Sequence, residues 1–549
     1  MSEQLPSQNP SNGAQPRRRE PSLSPPSYVL DHHGGRLLDT TSAVRLPGQV
    51  IRPTMYVGSN LLVRDADVPE VTEPLDRAAR SLGLRASYAP VDPQLLELAR
   101  RRDLADLAAR VLVTRVTLAS DTDQPALPPD AWPVLQTYRA LVGPASPLAG
   151  KVHLDHLVSG ATEIGGNPFT SGNPFTSGNP FTSGNPFTSG NPFGTGAGVS
   201  AEYAMPGYGG RAPVAWIGDE PNRCHDSELT GRRPVVAILD TGAGPHPWLP
   251  PHIVDRHPQV AGLPIGLTDP STNGEVKGTL NDPLEGTLDS DAGHGTFIAG
   301  LIRQKCPDAN ILAVRIMYSD GIVQEGDLLG AVTRLLFRQA IAIADDQPEL
   351  AIDVLSMSLG YYHEQPADQA YDQLLLTPLN ALGELGVSVV CAAGNDATPR
   401  HMYPAGFAAN PTGPVTTPDP ASAPLLSVGA LNPDGHSIAL FSNAGPWVLC
   451  HRPGVAVVST LPVSFDASLQ PVAKVYVHGD GLRSGIDMDN FRGGFATWSG
   501  TSFSAPILAG ELVEYAYRSG DLAITPAAAV TRSWSAVTAA TGVPRPSGP

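Results

Sequence analysis

The apolar and polar positions of the chain form two patterned stretches with an unpatterned one between them. Over 28–158 the pattern is that of a small α/β unit. Asn60 to Arg64 reads as a strand, and Val71 to Leu84 and Pro93 to Val111 read as amphipathic helices. The second of these carries Leu95, Leu96, Leu98, Ala99, Leu104, Leu107 and Ala108 at helical spacing. Leu112 to Leu118 alternates as a strand does, and Trp132 to Leu141 reads as another helix. Over 199–535 the period switches repeatedly. Pro234 to Leu239 is a continuous apolar run, which suits a strand buried on both faces of a parallel sheet. A helix with Phe297, Ile298, Leu301 and Ile302 follows, then a strand at Ile311 to Met317 and a helix at Leu328 to Ala344. Val354 to Leu359 reads as a strand, Leu374 to Leu385 as a helix and Val387 to Ala393 as a strand. This alternation predicts an α/β fold with a doubly wound parallel sheet.

The segment between the two units, 159–198, is a repeat. Gly166-Asn167-Pro168-Phe169-Thr170-Ser171 recurs every six residues and sets Asn-Pro-Phe at Asn167, Asn173, Asn179, Asn185 and Asn191. Each copy offers one aromatic and no second large apolar side chain, so no core can form and a flexible tandem linker is expected. A multivalent docking array is the alternative. Residues 1–27 are polar and proline-rich, and they and the tail at 536–549 are expected to be disordered.

Composition sharpens this division. The 56 glycines and 56 prolines among 549 residues agree with long loops and more than one domain. A formal charge of −17 speaks against a nucleic-acid binder or a basic membrane-surface protein. No apolar stretch approaches the roughly 18 residues that span a membrane. No apolar core follows Arg17-Arg18-Arg19, so no export signal is read there. Cys224, Cys306, Cys391 and Cys450 are widely spaced and are expected to be reduced, which gives a cytoplasmic expectation.

The 28–158 unit holds no chemical constellation and is expected to be an accessory or regulatory module through which a protein partner docks. The chemistry lies in 199–535. Asp240 ends the apolar run in Asp240-Thr241-Gly242, at the carboxyl end of a strand, where open α/β sheets place their sites. His294 opens a helix in Gly293-His294-Gly295-Thr296. Ser502 stands among small residues, Ser499-Gly500-Thr501-Ser502-Phe503-Ser504-Ala505-Pro506, that run into a helix with Ile507, Leu508, Leu512 and Val513. Proline is tolerated in a first turn, whose amides have no intrahelical partner and can face an oxyanion. Acyl transfer needs such a set: a serine to attack, a histidine to carry its proton, an aspartate to balance the imidazolium. Singly, Asp240 also reads as a turn former, and His294 and Ser502 as helix caps.

Four motifs taken together resemble the subtilisin-like serine peptidases, the subtilase family, over roughly residues 225–520. Ile238-Leu239-Asp240-Thr241-Gly242 resembles the aspartate motif and Gly293-His294-Gly295-Thr296-Phe297-Ile298-Ala299-Gly300 the histidine motif. Ala392-Ala393-Gly394-Asn395 resembles the segment that completes the oxyanion hole, and Gly500-Thr501-Ser502-Phe503-Ser504-Ala505-Pro506 the nucleophile motif. The order Asp, His, Ser is that of subtilisin. The resemblance implies a doubly wound parallel sheet of subtilisin type and a serine endopeptidase acting through an acyl-enzyme. In it Asp240 orients the base, His294 is the general acid and base, Ser502 the nucleophile and Asn395 the oxyanion donor. Ser358, Leu359 and Gly360 resemble the edge that pairs with an extended peptide substrate. Ala393 and Gly394 flank the same cleft. Tyr403-Pro404-Ala405 resembles the wall of the primary pocket, with Met402 near its floor, which implies a small or medium apolar residue before the scissile bond.

Phe297 replaces a second histidine of many relatives. Relatives also bind calcium, but Asp269, Asp282, Asp289 and Asp291 show no ligand spacing, so no metal or cofactor is expected. The expected partner is a peptide or protein substrate, cut in an intracellular processing or signalling event. Transpeptidation or macrocyclisation on the same acyl-enzyme is an alternative, as is a non-catalytic scaffold. The 28–158 unit reads as a recruitment module or, in a second version, as an intramolecular chaperone and inhibitor.

Overall fold

Two sheets organise the chain, and one of them takes strands from both halves of the sequence. The computed structural model describes residues 20–160 and 203–547, apart from 22, 24, 122–127, 206–208, 230, 282–283, 285, 366–372, 409–417, 467–473, 478, 480 and 485–490. The hexapeptide repeat and most of 1–27 thus lie outside the described residues.

The amino-terminal half runs α1 (Ser27–His33), β1 (Met55–Arg64), α2 (Val68–Ser81), β2 (Leu84–Tyr88), α3 (Pro93–Arg101), α4 (Ala105–Val111), β3 (Val113–Ser120), α5 (Ala131–Val142) and β4 (Val152–Gly160). The helix expected over 93–111 is two helices. Asp103 adopts φ +56°, and the Leu104 N–H closes onto the Ala99 carbonyl at 2.8 Å, a left-handed stop that a short polar side chain tolerates. Asp92 caps α3 by accepting from the Gln94 N–H at 2.9 Å, and Asp130 caps α5 by accepting from the Trp132 N–H at 3.1 Å.

The second half contributes β5 (Val235–Asp240), β6 (Val254–Asp255), α6 (His294–Lys305), β7 (Asn310–Arg315), β8 (Ile322–Gln324), α7 (Glu325–Ala344), β9 (Val354–Met357) and β10 (Leu359–Gly360). After these come α8 (Gln373–Glu384), β11 (Ser388–Ala392), β12 (Leu425–Leu431), β13 (Cys450–Pro453), α9 (Thr501–Ser519) and α10 (Pro526–Thr541). Seven strands form an all-parallel sheet in the order β13-β12-β11-β9-β5-β7-β6. Strand β5 is buried at every position, as its apolar run requires. Later strands are added on both sides of β5, so the winding changes direction there and opens a crevice at its carboxyl end.

Two expectations about boundaries are corrected. The strand read over 354–359 divides at Ser358: Val354–Met357 pairs in the parallel sheet, and Leu359–Gly360 leaves it to pair with β4. The disordered tail expected from 536 is helical through Thr541. Ala536 and Val537 are buried in the main core, and Gly542, at φ +76°, ends the helix.

The 28–158 unit, read as a small α/β pattern of its own, shares a sheet with the second half of the chain. Its sheet runs β8-β4-β1-β3-β2, with β10 also paired to β4. Strand period explains the docking. Leu61 and Val63 of β1 pack with Val71 and Leu75 of α2 and Trp132 of α5, whereas Leu62 between them belongs to the core of the second half. Leu95 and Leu98 of α3, Ala108 and Val111 of α4, and Val158 of β4 join that same core. An apolar sheet face on a lone unit would stay wet, and burial against the second half removes that cost.

Candidate active site

Asp240 and His294 meet because β5 ends where α6 begins. Gly295 allows the approach: a Cβ there would stand 2.0 Å from the Gly242 carbonyl oxygen. His294 donates from Nδ1 to Asp240 Oδ1 at 2.7 Å, and both side chains are fully buried. Since the carboxylate only accepts, the proton sits on Nδ1. His294 Nε2 is buried without a hydrogen-bond partner among the described residues, so it is the nitrogen left to take a proton. Burial alone would lower the His294 pKa. The charge of Asp240 and its hydrogen bond outweigh that and raise it. Asp240 Oδ1 also accepts from the Thr241 N–H at 2.8 Å.

Ser502 is the second residue of α9, after Gly500-Thr501. Its Oγ lies 3.4 Å from the Ser358 carbonyl oxygen, and the Ser358 hydroxyl donates to the Ser502 carbonyl at 2.8 Å. The ring of Phe503 packs on His294 at 5.4 Å between centroids, and Trp498 stands edge-on to it at 5.7 Å. Phe297, where a second histidine would otherwise stand, packs on Phe503 at 4.5 Å and completes an apolar backing.

Asn395 is oriented by Thr501. Its Oδ1 accepts from the Thr501 N–H at 3.0 Å and from the Thr501 hydroxyl at 2.8 Å. Because a backbone N–H only donates, the oxygen end is fixed there and the amide NH2 is directed the other way. Gly394 adopts φ +101°, and a Cβ on it would meet Asn443 Nδ2 at 2.4 Å and the Met402 sulfur at 2.7 Å. Met402 is buried, with Cε 2.7 Å from where a Gly360 Cβ would be. Gly360 on one side and Gly394 on the other thus flank Met402, and Ser358, Leu359 and Ala393 are their chain neighbours. The same cleft is lined by Asn395, by Ser159 and Gly160 of β4, and by Leu23 and Val29 of the amino-terminal segment.

Two residues here carry no local sequence signal, and a third lies inside the nucleophile motif without a role of its own assigned to it. Glu275 is fully buried in a loop, and accepts from the hydroxyls of Thr241 and Thr296 and from the Gly295 N–H at 3.2 Å. It ties the residue after Asp240 to the first turn after His294. Burial, with Asp240 nearby, pushes its carboxyl pKa up to about 7. Asn443 accepts from the N–H groups of Asp396 and Thr398 and donates to the Ala393 carbonyl at 2.9 Å, bracing the Asn395 loop. Thr501 is the third, through its grip on Asn395.

Among the described residues, Asp269, Asp289 and Asp291 each have surroundings of their own. Asp269 accepts from Ser271, and Asp289 from the N–H groups of Leu280 and Asn281. Asp291 lines the cleft, and Asp282 lies outside the described residues. None of them belongs to a group of three metal-ligating side chains among the described residues.

Residues 231–527 match the model of the subtilase family, Peptidase S8. Serine protease AprX of Bacillus subtilis is 27% identical over 311 residues, which are 51% of this chain and 56% of that protein. An intracellular serine protease of Paenibacillus polymyxa is 26% identical over 318 residues, 55% of this chain and 69% of that one. The chain thus spans little more than half the length of AprX. Among solved structures, fervidolysin from Fervidobacterium pennivorans aligns over 88% of this chain and 57% of its own, at 17% identity and a TM-score of 0.40. With more than half of its residues matched by one family model, the chain belongs to the subtilase family, over residues 231–527.

Proposed function

We propose that the protein hydrolyses peptide bonds through an acyl-enzyme on Ser502. The observation that carries this reading is the buried 2.7 Å bond from His294 Nδ1 to Asp240, which leaves Nε2 as proton acceptor on a ring against which Phe503, at the start of α9, packs. Ser502 Oγ attacks the substrate carbonyl carbon and its proton passes to His294 Nε2, while Asp240 balances the imidazolium. The oxyanion accepts from the Asn395 side-chain amide and the Ser502 N–H. The intermediate collapses, Nε2 returns the proton to the leaving amine, and water repeats the sequence on the ester. Leu359–Gly360 and Ile322–Gln324 are the edges along which an extended substrate adds, and Met402 limits the side chain before the cut. Incubation of the protein and of Ser502→Ala with a peptide library, read by product mass, tests this. Products gaining water and vanishing in the variant support it. Joined peptides would instead mark transpeptidation, and no products even after the chain is cut between 160 and 203 the scaffold reading.

A specific observation favours latency over recruitment as the role of the amino-terminal unit. Strand β4 pairs antiparallel with both edges, Ile322 to Gln324 opposite Ser159 to Leu157 and Leu359–Gly360 opposite Gly160 and Ser159. A strand in that place excludes substrate backbone, so the unit is an intramolecular inhibitor and the repeat is where the chain can be cut and released. Intact mass of the purified wild-type chain beside Ser502→Ala tests it: self-cleavage after 160 is expected only in the former. An intact wild-type chain with full activity would return the unit to a recruiting role. The unpaired state of all four cysteines and the likeness to a relative named as intracellular support an intracellular setting.

A further inference from the structure

Helix α1 closes at Gly34, and its last two residues are His32 and His33. Side chains of consecutive helical residues diverge by about 100° and do not face each other. Here both imidazoles nevertheless converge on one carboxylate oxygen in the other half of the chain, and they do so through different nitrogens. His32 Nδ1 lies 3.3 Å and His33 Nε2 2.9 Å from Asp320 Oδ2. All three ligand atoms lie within 4.8 Å of one another. Ligands about 2.0–2.2 Å from a tetrahedral ion sit roughly 3.3–3.5 Å apart, so small side-chain adjustments would seat an ion between them.

From this we infer that His32, His33 and Asp320 bind a divalent transition-metal ion of the zinc class and so pin α1 to the rim of the substrate cleft. The surroundings suit a built site. The side chains of Asp320 and His33 are 1% and 4% exposed and that of His32 is 47% exposed, which leaves one side open for a water ligand. The Asp320 carboxylate is fixed through Oδ1, which accepts from the Ile322 N–H at 3.1 Å. The Tyr318 ring stands edge-on to both imidazoles, at 5.2 and 5.3 Å, as an apolar wall. Two imidazoles and one carboxylate select zinc, cobalt or nickel over calcium and magnesium, which favour oxygen alone.

The position gives the ion a task. Asp320 lies two residues before the β8 edge, and the residues just ahead of and within α1, Leu23, Pro25, Pro26 and Val29, line the cleft with Asn395 and Met402. An ion at this corner holds that cover down. The task rests on the peptidase reading, whereas the binding itself does not.

The test therefore uses tag-free, full-length Ser502→Ala, which cannot process itself, titrated with Co2+ and then displaced by Zn2+. One equivalent of Co2+ with visible ligand-field absorption is expected. In the same background His32→Ala, a half-exposed position that tolerates truncation, should weaken binding tenfold or more, and His32→Cys should restore it. Hydrogen exchange over 27–33 should slow on adding Zn2+. Absence of stoichiometric binding, or binding and exchange unchanged by His32→Ala and His33→Ala together, would overturn the site. Neither readout requires peptidase activity.

Discussion

His156 on β4 offers the sharpest perturbation of the contact between the two halves. Its ring donates from both nitrogens, Nδ1 to Glu325 at 2.6 Å and Nε2 to Glu364 at 3.0 Å. Both carboxylates belong to the peptidase half, and all three side chains are buried. Burial would lower the His156 pKa, but the two carboxylates outweigh it and raise it to about 10. His156→Ala would strand two buried anions, and removing one partner of a buried ion pair costs about 3–5 kcal/mol. Three contacts soften this: His363 Nδ1 lies 3.6 Å and Arg139 4.0 Å from Glu364, and the Tyr361 hydroxyl donates to Glu325 at 3.3 Å. The low end, about 3 kcal/mol, corresponds to roughly a hundredfold weaker docking of β4. The assay is the rate at which a fluorophosphonate probe labels Ser502 in the full chain, with thermal unfolding followed on the same sample. Labelling should accelerate by up to about a hundredfold. The pH dependence has a defined sign. Released His156 titrates near 6.5 and docked His156 near 10, so its contribution to docking is complete below 6.5 and fades as pH rises toward 10. Wild-type labelling should rise across that window more steeply than in His156→Ala. Equal labelling at every pH, with unchanged melting, would refute the assigned contact.

Other perturbations separate the parts of the site. Asn395→Ala should lower kcat by about 10²–10³ with KM little changed, measured on a peptide substrate of the activated chain; an unaltered kcat would remove it from the oxyanion hole. The raised carboxyl pKa of Glu275 means that the native state holds its proton longer than the unfolded chain. Its contribution is therefore most favourable below 4.5 and is lost as pH rises to about 7. Glu275→Gln should flatten the melting temperature across that window, and an identical profile would show that the group does not titrate there. Met402→Ala should shift cleavage toward larger residues before the scissile bond in a peptide library, and an unchanged preference would put the pocket floor elsewhere.

The fold of the second half was legible in the sequence because its signals are local. A strand buried on both faces such as β5 reads as a nearly continuous apolar run, and Ser502 at a helix start stands among small residues. The unseen parts depend on contacts distant in sequence. Leu62 reads as one more residue of a strand, and nothing nearby tells that it packs into the other half of the chain. Glu275 sits in a loop, and only folding brings Thr241 and Thr296 to it. Ser159 and Gly160 opened the linker by composition, yet they end a strand, paired with Gly360 and Leu359. The split at Asp103 was hidden by apolar spacing that continues across it, since periodicity does not register a left-handed residue.

The most direct test of the account is intact-mass spectrometry of the full-length chain after fluorophosphonate treatment, beside Ser502→Ala. A single adduct on Ser502, absent from the variant and formed faster once the chain is cut between 160 and 203, is the predicted result. An adduct that persists in Ser502→Ala, or a cut chain that takes none, would contradict an assembled Asp240-His294-Ser502 site restrained by β4.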